Sequence, residues 1–119
     1  GANFKVPHGL SNSLMLPHVL RFNGLEPHAE MLYADLLGEC FPDLSPAERL
    51  GRSGSDLMAS SFEQLALDLG IETTLTQVGI AESDVATIAS QAMLQTRLLP
   101  NNPREVTLSD ATKLYTEAL

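Results

Sequence analysis

From Gly9 to Phe22 the apolar residues Leu10, Leu14, Met15, Leu16, Val19, Leu20 and Phe22 recur at helical spacing but spread round the helix. That pattern predicts a central helix buried on most sides, with Leu16 among its core positions. Pro17 removes a backbone donor and crowds the preceding turn, so a kink is expected between Ser13 and Pro17, and Asn23-Gly24 supplies the stop. Pro27 suits the first turn of a second helix. Its apolar positions Ala29, Leu32, Tyr33, Leu36, Leu37 and Cys40 form one stripe, with Glu30, Asp35 and Glu39 outside it.

Phe41-Pro42-Asp43-Leu44 breaks the period, and Ser45-Pro46-Ala47-Glu48 combines a capping serine, a proline at the first helical position and a capping-box glutamate. A short helical turn is predicted there. Gly51-Arg52-Ser53-Gly54 reads as a linker, after which Met58, Phe62, Leu65, Ala66 and Leu69 mark a helix closed by Gly70. Thr74 and Gln77 make a second capping box before Gly79. Val85, Ile88, Ala89, Ala92 and Met93 predict a long helix from about Glu82 to Arg97, which Leu99-Pro100-Asn101-Asn102-Pro103 forbids from continuing. Thr107 caps a last helix with the stripe Ala111, Leu114, Tyr115, Ala118 and Leu119. Strand alternation is almost absent. The fold class is therefore all-α, a helical bundle of about five to six helices.

Composition narrows the partners. With 119 residues, 44% of them hydrophobic, the chain suits one compact unit, and no apolar run approaches the ~20 residues of a membrane span. A net charge of -8 with seven scattered Lys and Arg argues against nucleic-acid or anionic-membrane surfaces. Cys40 stands alone, which excludes an internal disulfide, and the first residues lack the regions of a signal peptide, so a cytoplasmic location is the default expectation. On the apolar stripe of its helix, Cys40 reads as a buried structural residue.

Three histidines are the candidate metal ligands. His8 and His18 on one helix would stand ~15 Å apart and on different faces, too far to share an ion. His28 lacks an acidic or histidine neighbour one turn away. Gly51-x-x-Gly54 lacks the third glycine, preceding strand and following acid of a dinucleotide loop. His18 is accordingly read as a packed helix residue and His28 as surface. Glu82 and Asp84 sit where carboxylates favour a helix start.

Three motifs nevertheless occur in a familiar order. Pro7-His8-Gly9-Leu10-Ser11-Asn12 leads into Leu16-Pro17-His18-Val19-Leu20-Arg21-Phe22-Asn23. Leu69-Gly70-Ile71 follows with Leu75 and Val78-Gly79-Ile80, then Asn102-Pro103-Arg104-Glu105-Val106-Thr107 with Asp110. This series resembles the iron-containing (group III) alcohol dehydrogenases; the stretch from Gly38 to Ser55 matches nothing specific in them. The resemblance implies a fold in which a dinucleotide-binding α/β domain precedes an all-helical domain, and makes residues 1–119 the C-terminal helical domain. It implies a metal held by one aspartate and three histidines, the last of which maps onto His8, with the other three ligands and the nucleotide loops upstream of Gly1.

The reaction so implied is hydride transfer between an alcohol and NAD or NADP, with iron or another divalent metal as Lewis acid. The resemblance also places Leu98 and Leu99 at part of the substrate-pocket wall, although two leucines at a helix end also suit a core. Arg104 suits capping carbonyls or pairing with a carboxylate better than touching cofactor. Alone, the chain is expected to bind no NAD(P), to hold no metal tightly and to oxidise no alcohol. Its expected partner is the N-terminal domain or a second copy, a homodimer being favoured because apolar surface around Leu10, Leu14 and Met15 needs cover. The alternative is a non-catalytic helical binding or assembly module that inherited the fold.

Overall fold

Local signals decide where each helix begins. The computed structural model describes residues 8–94 and 101–119, His8 by its backbone alone. It contains α1 (His8–Asn23), α2 (Pro27–Cys40), α3 (Pro46–Arg49), α4 (Gly54–Asp68), α5 (Val85–Ala92) and α6 (Leu108–Glu117), with 3-10 turns at Thr76–Val78 and Glu82–Asp84. No strand occurs among the described residues. The Glu26 carboxylate caps α2 by accepting from the His28 and Ala29 amides, just before Pro27. Ser45 and Glu48 cap α3 reciprocally, as Thr107 and Asp110 cap α6. Gly70, at φ 73°, closes α4: its amide reaches Leu67 O and the Ile71 amide reaches Ala66 O, the paired bonds of a left-handed helix terminus.

Two cores share one helix. Leu20 of α1 packs with Leu37 of α2 and Leu57, Met58 and Ala59 of α4, and Tyr33, Phe41, Leu44 and Phe62 close round them. Leu14 of α1 packs instead with Leu75, Ile80 and Ala118, flanked by Leu10, Met15, Val78, Ile88, Tyr115 and Leu119. Six residues of helix turn Leu20 about 120° away from Leu14 and carry it ~9 Å along the axis. The apolar positions of α1 are therefore spread because two different cores need them. The chain end is tied in by backbone, the Leu75 amide donating to Ala118 O at 2.8 Å.

Two glycines mark close helix approaches. A side chain at Gly24 would run into Ser55 of α4, and one at Gly54 would lie 2.6 Å from Ala34 Cα. Gly54 is thus the contact point of α4 on α2 and not part of a free linker.

Several expectations need correction. Leu16 is 37% exposed, and the deep residue on that turn of α1 is Leu14 at 1%. α2 packs against α4. A helix held from one side buries only the edge Ala29-Tyr33-Leu37, so Leu32 and Leu36 are exposed. Cys40 is exposed too, opening onto a groove between the end of α2 and α4. Leu65 and Leu69 lie outside the core of α4. The helix expected from Glu82 to Arg97 begins as a 3-10 turn and is α-helical from Val85 to Ala92, its expected last residues 95–97 lying outside the described residues. The surface expected around Leu10, Leu14 and Met15 is largely covered by the Leu75–Ile80 turn and α6.

Candidate functional site

α1 carries the candidate site at one end and its anchor at the other. His8 is the first residue of α1, in the half of the helix packed on the second core. Its side chain lies outside the described residues, as do Leu98 and Leu99. His18 sits on the same unbroken helix, ten residues on, so the two imidazoles cannot share one ion. His18 is half-buried in a small crevice with Pro17, Phe62, Glu63 and Glu72. Burial pushes its pKa below the ordinary 6.5, against the opposing charge of Glu63, and so favours the neutral ring. His28 is exposed.

The opposite end of α1 is locked by the two flanking motifs. Asn23, only 3% exposed, and Asn102 exchange amide hydrogen bonds: Asn23 Nδ2 donates to Asn102 Oδ1 at 3.0 Å and Asn102 Nδ2 donates to Asn23 Oδ1 at 2.7 Å. Asn23 Nδ2 also donates to the Tyr33 hydroxyl, and Asn102 Nδ2 to Arg104 O. Arg104 Nη1 reaches Phe22 O at 2.9 Å while its guanidinium stacks 4.0 Å from the centre of the Phe22 ring. Arg104 thus caps a helix carbonyl, as expected. The Arg-Phe-Asn and Asn-Pro-Arg strings, 79 residues apart, are two halves of one clamp. Sequence reading missed the pairing; its only signal was that both motifs end in polar residues with no chemistry to perform.

Two residues before Asn23, Arg21 of α1 bonds Asp56 at 3.2 Å and also Glu63, both on α4. Burial alone would lower the Arg21 pKa, but these two carboxylates outweigh it and hold the guanidinium charged. Asp56 is drawn below the usual carboxylate range first by Arg52 and then by Arg21. These bonds tie α1 to α4.

Among the described residues no three His, Cys, Asp or Glu side chains converge to hold a metal. The start of α4, where a phosphate could be expected, is already occupied: the Glu30 carboxylate accepts from the Ser55 amide at 2.9 Å, and Ser53 Oγ accepts from the Asp56 amide. Gly54 has Ala34 against it. The left-handed glycines Gly51, Gly70 and Gly79 follow α3, α4 and the first 3-10 turn, so each ends an element rather than leading into a helix. Nor is any helix among the described residues long and apolar enough to cross a membrane.

Among the described residues the domain is all-helical, its central helix begins at a histidine, and its remaining motifs fold onto that helix. The chain belongs to the Fe-containing alcohol dehydrogenase family, whose C-terminal family model matches residues 1–119. It is 33% identical over 121 residues to the lactaldehyde reductase of Escherichia coli K12, a match covering 97% of this chain and 29% of that protein. A similar match, at 27% identity, covers 99% of the chain and 29% of the 1,3-propanediol dehydrogenase of Klebsiella pneumoniae. The solved alcohol dehydrogenase from Oenococcus oeni superposes with a TM-score of 0.77 at 27% identity, over 100% of this chain and 30% of that one. The chain therefore spans under a third of the length of the proteins it matches.

Proposed function

We propose that residues 1–119 form the helical domain of an NAD(P)-dependent alcohol dehydrogenase and contribute one metal ligand, His8. The observation that carries this reading is the position of His8 at the start of α1, in a chain matched along its whole length by the family model. In a complete enzyme, the remaining ligands and the nicotinamide site would come from residues outside this domain, and bound metal would supply Lewis-acid polarisation of the alcohol oxygen. This chain's own part is to aim one imidazole. α1 is held at its middle by Leu14 in the second core and at its end by the asparagine clamp, so the His8 backbone has a fixed origin. Leu98 and Leu99 belong to the same proposal as pocket-wall residues.

The test is His8→Ala in the complete enzyme, or in this chain rejoined to a nucleotide-binding domain. The variant should fold, since a lost helix-start contact costs at most ~1 kcal/mol. Metal content by mass spectrometry and NAD(P)-linked alcohol oxidation should both collapse. Retention of full metal content and turnover would refute the role of His8.

A further inference from the structure

A concavity of about 540 Å³ lies between the end of α2, α3 and α4. We propose that it docks a basic, apolar-tipped segment of a partner protein. Its lining includes Phe41, Leu44, Leu57 and Leu65, and Phe41 is fixed edge-on against Phe62 with ring centres 5.0 Å apart. Such a surface is built before any occupant arrives, and its volume falls in the range of about 300–1,000 Å³ typical of binding clefts.

Charge chooses the occupant. Asp43, Glu48 and Asp68 stand among the lining residues. The cation beside them, Arg52, is committed to Asp56 at 2.8 Å and to Ser60. The groove therefore offers apolar contact within a net negative rim, on a chain of net charge -8. Phosphate-bearing partners and anionic membranes are repelled, whereas a segment alternating Lys or Arg with Leu or Phe satisfies both features. A second copy of this chain, itself of net charge -8, is repelled by the same rim. This site is independent of the dehydrogenase reading.

The experiment uses the full chain and two labelled octapeptides, one alternating lysine with leucine and the other carrying glutamate in place of lysine. Fluorescence anisotropy should show binding of the lysine peptide and none of the glutamate peptide. Amide shifts should map the contact to Phe41, Leu44, Ser60 and Gln64. Asp43→Asn with Glu48→Gln and Asp68→Asn removes the rim charge isosterically, and the amide oxygen introduced by Glu48→Gln can still accept the Ser45 N–H that closes the α3 cap. Affinity should fall about tenfold, the sum of three surface charge contacts. Added salt should weaken binding in the same direction. Equal binding of both peptides, unchanged affinity in the folded triple variant, shifts mapping elsewhere or no binding at millimolar peptide would each overturn the proposal. So would the same shift pattern arising when the chain alone is concentrated, which would make a second copy the occupant.

Discussion

Asn23→Ala opens a closed pair of amide hydrogen bonds at a position only 3% exposed. The variant loses both bonds to Asn102 and the one to the Tyr33 hydroxyl, and it leaves the Asn102 carbonyl oxygen without its donor. At a net value of about 0.5–1.5 kcal/mol per bond, with a further cost for the polar group left behind, the expected loss is about 2–4 kcal/mol. That is a large share of the roughly 5–15 kcal/mol that holds a typical domain folded. Asn102→Ala alone should cost less, since Asn102 is half-buried and its neighbours can reach water. The decisive quantity is the coupling: the double variant should be more stable than the sum of the single losses predicts, by about 1–2 kcal/mol. Urea unfolding followed by circular dichroism gives all three values, with unchanged denaturant slopes showing that the folded state is intact. Additivity within ~0.3–0.5 kcal/mol would mean that the two amides do not recognise each other, and the clamp would fall with it.

Three further outcomes follow from burial, close approach and charge. Leu14→Ala should cost about 2–5 kcal/mol in the same assay and Leu16→Ala clearly less, because only Leu14 leaves a closed cavity; equal losses would contradict the assignment of the core. Gly54→Ala should destabilise the chain although alanine is the better helix former, because its methyl group meets Ala34 Cα at 2.6 Å; a raised melting temperature would refute the close approach. Because His18 has a folded pKa below its ordinary 6.5, the unfolded chain binds more protons in the interval between the two values. Its contribution is present above 6.5 and lost as pH falls through the folded value, so His18→Asn should flatten the stability profile in the range immediately under 6.5, and an unchanged profile there would refute it.

What the sequence disclosed depended on the range of the interaction. The caps at Ser45, Thr74 and Thr107 were legible because donor and acceptor lie three residues apart, and the Gly70 terminus because its bonds stay within one turn. Periodicity located α2 and α4, but it could not say how many neighbours each would have. Leu32, Leu36, Leu65 and Leu69 fit a helical stripe and still lie outside the edge that is packed. α5 was overextended because Met93 continued its apolar spacing, although the helix stops at Ala92. The Asn23–Asn102 pair joins sites 79 residues apart, and no local rule connects them. As for the site, a single helix start and the motif order were readable; convergence of ligands is a property of three dimensions.

The double duty of α1 has a consequence for how such a domain can change over generations. Each residue inserted into a helix rotates everything beyond it by about 100°. An insertion or deletion between Leu14 and Leu20 would aim one of these residues away from its own core and would swing the clamp at Asn23 away from Asn102. Substitutions at the exposed positions of that stretch are free to accumulate, but its length is not. The Phe41–Ser53 connection touches only one of the two cores and can lengthen or shorten without disturbing the phase between them. Within α1, spacing is therefore under tighter constraint than identity, and a relative that differs in nearly every side chain there must still count six residues from one core to the other.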